Sequence, residues 1–263
     1  MLNMKNYDKN HPIILGLAGK AATGKTSVAE KIVPKGAIST SLDNLMWDHI
    51  FFALPLYELA SIKRTVEGIN KNSRQLFAIH ETLYDLFGNT AIGSIPNYPD
   101  FVDLVQEIHQ MAIEPEGVKA RTFLQKAGDL CRGHDADCFA KWAINKAKKI
   151  HRVYESQIQE EDQSSPTCII ISDVRFYNEA KHILQQPNGI IVCYEASDKI
   201  RNDRMLQRDG KIMTPEQSSH VSEKQIDLIK EVADAIIDTN NMSIEDQTNK
   251  TIDQVNTFLK QYA

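Results

Sequence analysis

A chain of 263 residues, 42% of them apolar, can bury a substantial core, and it suits one large α/β domain with insertions better than two small domains. Its formal net charge of -5 lacks the broad basic excess of a protein that grips duplex nucleic acid through phosphates, so any anion site must be local. The longest apolar runs, PIILGLAG and TCIIIS, fall far short of the roughly 20 residues that cross a bilayer, and residues 1 to 11 are too polar for a signal peptide. The expectation is a cytoplasmic protein with no membrane partner.

Taken in chain order, strand-like runs occur at Ile13 to Leu17, around Ile50 to Ala53, at Thr167 to Ser172, at Gly189 to Tyr194 and at Ala233 to Asp238. Most are short and rich in Ile and Val, the composition of strands covered on both faces of a parallel sheet. Residues 34 to 42, PKGAISTSL, read equally as a further strand or a loop. Between the second and third runs lies a long stretch of helical spacing, about 55 to 152, punctuated by FGNTAIGSIPNYPD. The polar ESQIQEEDQSSP then leads back into the sheet. The predicted fold is a doubly wound α/β domain spanning 1–263, with a five-stranded, mainly parallel sheet, helices on both faces and a helical insertion.

The segment GLAGKAATGKTSVAEKIV places G-x-x-x-x-G-K-[ST] at Gly19 to Thr26, between an apolar strand run and a helix-forming run. That is the context a P-loop requires: glycines let the backbone approach a polyphosphate, and the helix that follows points its N-terminal dipole at it. Gly19, Ala21, Ala22, Thr23, Gly24, Lys25, Thr26 and Ser27 are the expected ATP-binding residues, with Lys25 on the β and γ phosphates and Thr26 on Mg2+. A second strand, TCIIISDVRFYNEA, carries Asp173 and Arg175 at its carboxyl end, where ligands of open α/β sheets bind. Asp173 is the expected partner of Mg2+, directly or through water, and Arg175 the holder of a second anion.

In RTFLQKAGDLCR, the spacing of Arg121, Gln125, Gly128 and Arg132 sets all four on one helix face. An amide between two guanidinium groups suits a base and its phosphate. An ordinary solvated face is the alternative. Arg201, Arg204 and Arg208 in SDKIRNDRMLQRDGK share a face in the same way, with Ser197 or Asp198 as helix cap and Gly210 as stop. Four cysteines, Cys131, Cys138, Cys168 and Cys193, form no CxxC pair, and Cys131, His134 and Cys138 lack a zinc spacing, so reduced, buried thiols are expected.

The motifs GKAATGKT, FALPLYELA, FLQKAGDLCR, SDVRFYNEA, HVSE and DTNNMSIED occur in the same order as motifs of phage-type deoxynucleoside monophosphate kinases, and the chain resembles that family over most of its length. The P-loop is generic among NTPases, whereas DVRFxNEA is far more specific. Where the family often reads close to FADPLK, this chain has FALPLY, with Leu54 and Tyr57 in place of an acid and a lysine. The resemblance implies that Arg121, Gln125, Arg132 and Arg175 bind the acceptor. It further implies that 197–224 forms a lid whose Arg201, Arg204 and Arg208 act catalytically with Lys25, Arg175 and Asp173, and that Asn240 and Asn241 neighbour the adenine.

The expected reaction is Mg-ATP plus a (deoxy)nucleoside monophosphate giving ADP and the diphosphate, with ATP and Mg2+ as cofactors, nucleotides as small-molecule partners, and a homodimer left open. The acceptor oxygen is already ionised, so alignment and charge stabilisation suffice without a strong general base. Two rivals stand beside it. One is a P-loop kinase of a hydroxyl acceptor, for which Asp43 or Asp48 would supply the base. The other is a nucleotide-binding switch protein that transfers nothing.

Overall fold

The computed structural model of the chain describes residues 7–35, 37, 40–42, 45–66, 68, 70–88, 98–111, 121–157, 165–212, 214 and 221–262. Its elements run β1 (Ile13–Ala18), α1 (Lys25–Ile32), β2 (Thr40–Leu42), β3 (Leu45–Ile50), α2 (Leu54–Thr65), α3 (Lys71–Gly88), α4 (Tyr98–Gln110), α5 (Arg121–His134), α6 (Cys138–Gln157) and β4 (Thr167–Val174). There follow α7 (Tyr177–Leu184), β5 (Gly189–Glu195), α8 (Asp198–Asp209), α9 (Val221–Lys224), α10 (Ile226–Val232), β6 (Ala235–Asp238) and α11 (Ile244–Tyr262). The chain divides into two compact units, Met1–Phe51 with Lys146–Ala263, and the inserted Phe52–Asn145; the boundary between them falls within α6.

In the first unit, one sheet has the order β2-β3-β4-β1-β5-β6, and every pairing is parallel except the β2–β3 hairpin. The sheet therefore has six strands, not the five expected. The extra one is β2, a three-residue edge strand at the end of the 34 to 42 segment that reads equally as strand or loop. The second strand also lies earlier than Ile50 to Ala53: β3 buries Leu45, Trp47 and Ile50 while Met46, Asp48 and His49 stay half-buried, so its polar positions hide it from a search for continuous apolar runs. Phe51 to Ala53 form a turn instead, and Pro55 near the start of α2 supplies a fixed φ where the helix needs no N–H donor.

β1, β4 and β5 are buried along nearly their whole length, as strands covered from both sides must be. On one side, Ile13, Leu15 and Leu17 join a core with Val28 and Ile32 of α1 and Ile252 and Val255 of α11. On the other, α7 and α10 pack on each other and on β1 and β5. The central strands thus end together at their carboxyl edge, and β1 runs directly into the glycine loop.

The inserted unit is helical. α2 packs on α3 and α5, and α4 packs on both α3 and α5, over Leu59, Ile79, Leu83, Phe87, Phe101, Leu104 and Cys131. Trp142 donates its indole N–H to Asp85 Oδ2 at 2.8 Å, which satisfies the one polar group of an otherwise buried ring. Most of FGNTAIGSIPNYPD lies outside the described residues. No described helix is long and apolar enough to cross a membrane.

Candidate functional site at the glycine loop

The loop between β1 and α1 takes left-handed backbone at Gly19 (φ 139°), Ala22 (φ 63°) and Gly24 (φ 107°). At Gly19 a Cβ would lie 2.5 Å from the carbonyl oxygen of Tyr194, so dihedral and space both demand glycine; at Gly24 the dihedral demands it, and a Cβ would also displace Gln247 Oε1, 2.2 Å away. Each carbonyl from Gly19 to Ala22 is held by a donor, and Thr23 O shares the single hydroxyl proton of Thr239 with Glu195 O. Lys25 Nζ donates to Gly19 O at 2.5 Å and Lys20 O at 2.9 Å, and Arg201 Nε donates to Ala21 O at 2.9 Å. Arg204 Nη1 donates to Ala22 O at 3.3 Å, and Thr239 Oγ1 contacts Thr23 O at 3.2 Å.

With its carbonyls committed, the loop has its N–H groups to offer. Those of Ala22 to Ser27 have no protein acceptor among the described residues, and the later ones are the first turn of α1, whose N–H groups have no intrahelical partner. Left-handed backbone at Gly19, Ala22 and Gly24 ahead of a helix N-terminus makes a concavity of partial positive charge that suits an anion.

Lys25 is buried against this loop, and its ammonium also reaches Thr23 Oγ1 at 3.3 Å. Burial, then the positive charge of Arg175, push its pKa down to about 7, with a smaller downward push from Arg201 and opposition from Glu223 and Cys193. Arg175, just beyond β4, donates from Nη1 to Glu223 Oε1 at 3.2 Å. Glu223 in α9 is itself buried: its Oε2 accepts from the Ala21 N–H at 3.3 Å and from Arg201 Nη2 at 3.4 Å.

The expected lid stripe divides by partner. Arg201 is buried, spending its remaining Nη1 on Asp198 at 2.7 Å. Arg204 braces the loop and the turn after β6 together, donating to Thr239 Oγ1 at 3.1 Å and Thr239 O at 2.6 Å. Arg208 pairs with Asp209 at 2.6 Å in the open and does not join them. Ser197 caps α8 and Gly210 ends it in left-handed backbone, as expected.

Thr26 and Ser27 are exposed on the first turn of α1, and Asp173 is half-buried on β4, whose Val174 stands beside Ala18 where the loop begins. Asn240 uses its amide locally: Oδ1 accepts from Ser197 N at 2.8 Å, and Nδ2 donates to Asp238 Oδ1 at 2.7 Å. It is a turn former tying β6 to α8. Asn241 is exposed in the same turn.

In the inserted unit, Arg121 opens α5 with its side chain outside the described set, and Gln125 is half-buried. Arg132 lies over the Phe139 ring at 5.0 Å and contacts Asp129 at 3.5 Å. At Gly128, on the same face, the space is taken from both sides: a Cβ there would meet Arg132 Nη1 at 2.9 Å and Leu56 Cδ1 of α2 at 3.3 Å. All four cysteines are buried, and burial raises the Cys131 thiol to about 12 and that of Cys193 to about 11. Such thiols are inert at neutral pH.

Glu223, Thr239 and Gln247 near the loop, and His49 on β3, escaped the sequence reading. Glu223 stood in the HVSE segment and Thr239 in DTNNMSIED, but neither motif says which residue turns toward Gly19 to Gly24. Gln247, fully buried in α11, donates to Met242 O at 3.2 Å, while its Oε1, beside Gly24, has no hydrogen-bond partner among the described residues. His49 Nε2 lies 2.7 Å from Ser172 Oγ, and burial lowers its pKa to about 4, so it is neutral at pH 7. Asp48 accepts from Tyr154 Oη at 2.9 Å and from the His49 N–H at 2.6 Å, which leaves its carboxylate engaged; Asp43 lies outside the described residues.

Fold and site together define an α/β protein with a mostly parallel six-stranded sheet and, at its carboxyl edge, a glycine loop that leads into a helix N-terminus. No family model and no curated protein matches the chain. Among solved structures it is similar to the crystal structure of TT1252 from Thermus thermophilus, at 15% identity over 95% of this chain and 98% of that one, with a TM-score of 0.41.

Proposed function

We propose that this chain is a P-loop phosphotransferase that moves a phosphoryl group from Mg-ATP to a (deoxy)nucleoside monophosphate. The observation that carries the ATP half is the commitment of the carbonyls from Gly19 to Ala22, which leaves a run of N–H groups, the α1 N-terminus and Lys25 for a polyphosphate. The acceptor half rests on the ordered motifs of the sequence and on the half-buried face of α5 with Gln125 and Arg132.

In this reading the loop N–H groups align the phosphates. Lys25 swings from its own carbonyls onto the β and γ oxygens, and Arg175 offsets charge on the moving group. Arg201 and Arg204 hold the loop in shape rather than close over it. The hydroxyl of Thr26 and the carboxylate of Asp173 are hard oxygen donors that fit Mg2+, which would screen the phosphate charge when bound. Of the two carboxylates that a hydroxyl acceptor would call on, Asp48 accepts from Tyr154 and the His49 N–H, and Asp43 lies outside the described residues.

The test is an acceptor panel: purified protein, Mg-ATP and each common nucleoside monophosphate, with ADP and diphosphate both measured. Stoichiometric formation of the two products with at least one acceptor is expected. Tight ATP binding with failure of every acceptor would replace this reading with that of a nucleotide-binding switch.

A further inference from the structure

Glu223 is an acid buried beside the loop, between Arg175, which the proposed function sets against the moving phosphoryl group, and Arg201, which holds the loop in shape. It is 4% exposed, and its two oxygens take the Ala21 N–H of the loop, Nη1 of Arg175 and Nη2 of Arg201 at 3.2 to 3.4 Å. Its charge also acts on Lys25, helping to keep that ammonium charged. A carboxylate and a phosphate edge ask the same thing of N–H and guanidinium donors, namely short charge-assisted hydrogen bonds, and two anions cannot share those donors without repulsion.

We infer that Glu223 is the resident anion of the phosphate pocket, an affinity-setting residue whose carboxylate gives up the Ala21 N–H and at least one guanidinium when a polyphosphate binds. The inference rests on the reading of Gly19 to Thr26 as a phosphate loop. Without Glu223 the buried Lys25 and Arg201 and the half-buried Arg175 would lose the carboxylate that pairs with both guanidinium groups, leaving Arg201 its exposed Asp198 partner, and like charges gathered in a partly desolvated site are costly. Binding is therefore an exchange of anions, and a ligand with several negative charges is favoured over one with a single charge because it must outcompete a carboxylate already in place.

A different role, that of a simple brace holding Arg175 and Arg201 in position for the ligand, makes the opposite prediction for the same substitution. Glu223→Gln keeps the shape and an acceptor oxygen but removes the charge. If Glu223 competes, the folded variant binds inorganic tripolyphosphate at least ~10-fold more tightly than the native protein, as expected when a close like charge is removed from a partly desolvated site. Its melting temperature without ligand falls at the same time. If Glu223 is a brace, affinity falls together with stability.

Calorimetric titration of both proteins with tripolyphosphate and with Mg-ATP decides the matter. Equal or weaker binding by folded Glu223→Gln overturns the inference and leaves the phosphate-loop reading standing. Failure of the native protein to bind either ligand overturns both. A measurement on the native chain covers a variant that does not fold: hydrogen exchange in Val221–Lys224 should quicken when tripolyphosphate is added, because the side chain that docks the helix on the loop has been displaced. Unchanged or slowed exchange there counts against the exchange of anions.

Discussion

Thr239→Val tests how the loop is held. Thr239 is fully buried, and its hydroxyl lies 2.9 Å from Glu195 O, 3.2 Å from Thr23 O and 3.1 Å from Arg204 Nη1. One hydroxyl proton serves one of the two carbonyls, and the oxygen accepts from the charged guanidinium. Valine has the same shape and leaves no cavity, so the loss is polar: one neutral hydrogen bond and one bond to a charged group, together about 2 to 4 kcal/mol. For a chain of this size each kcal/mol moves the melting point by about 2 to 4 °C, so a drop of the order of 10 °C is expected. Nucleotide affinity should fall with it, because the loop carbonyl at Thr23 and the guanidinium that reaches Ala22 O are released together. Thermal melts and ATP titrations of Thr239→Val and Arg204→Ala, with Arg208→Ala as a control on the same helix, make the comparison. Thr239→Val that melts within a degree of the native protein and binds ATP equally well, or Arg208→Ala that matches Arg204→Ala, would refute the reasoning.

Three further outcomes are expected. With the folded pKa of Lys25 near 7 and the unfolded value near 10.5, the unfolded chain holds a proton between those limits that the folded, ligand-free chain has lost, so the stability set by this group rises with pH across that window. Phosphate binding needs the charged form, so tripolyphosphate affinity should weaken up to roughly 10-fold per pH unit above 7, relative to Lys25→Arg, in which the charge does not titrate; parallel profiles would count against it. Gly24→Ala forces a side chain into left-handed backbone and against Gln247, for a loss of about 1 to 3 kcal/mol from strain alone, read as a lowered denaturation midpoint. Gln125→Ala should raise the acceptor KM or flatten base preference, by the ~1 to 3 kcal/mol of one polar contact, with ATP affinity unchanged; a kinetically silent variant would return the α5 face to solvent.

What could be read from sequence followed the physics of each element. β1, β4 and β5 are covered on both sides and so are written as continuous Ile- and Val-rich runs. β3 is not, because Asp48 and His49 are polar positions with partners of their own, Tyr154 and Ser172, that lie far away along the chain. The glycines and Lys25 were legible because the loop's dihedrals and chemistry are local. Helical spacing correctly put Arg201, Arg204 and Arg208 on one face, but a face has no address until its neighbours are known: two of the three meet loop carbonyls and the third meets Asp209. Glu223 sits some 200 positions from the Ala21 N–H that it accepts, a distance no spacing rule crosses.

The manner in which the loop is held bears on how its sequence can drift. Ala21 and Ala22 are gripped by their carbonyl oxygens, a feature common to all residues, so the donors Arg201 and Arg204 are indifferent to which side chain stands there. The limits come from elsewhere: Ala21 is buried and must stay small, whereas Ala22 is half-buried at φ 63°, a conformation that Gly or Asn would adopt with less strain than alanine. The interior of such a loop can therefore vary widely between relatives while the residues that preserve its shape sit elsewhere in the chain, in α8 and in the turn after β6. A search for what must stay constant in this protein should follow Arg201, Arg204 and Thr239 as closely as the glycines.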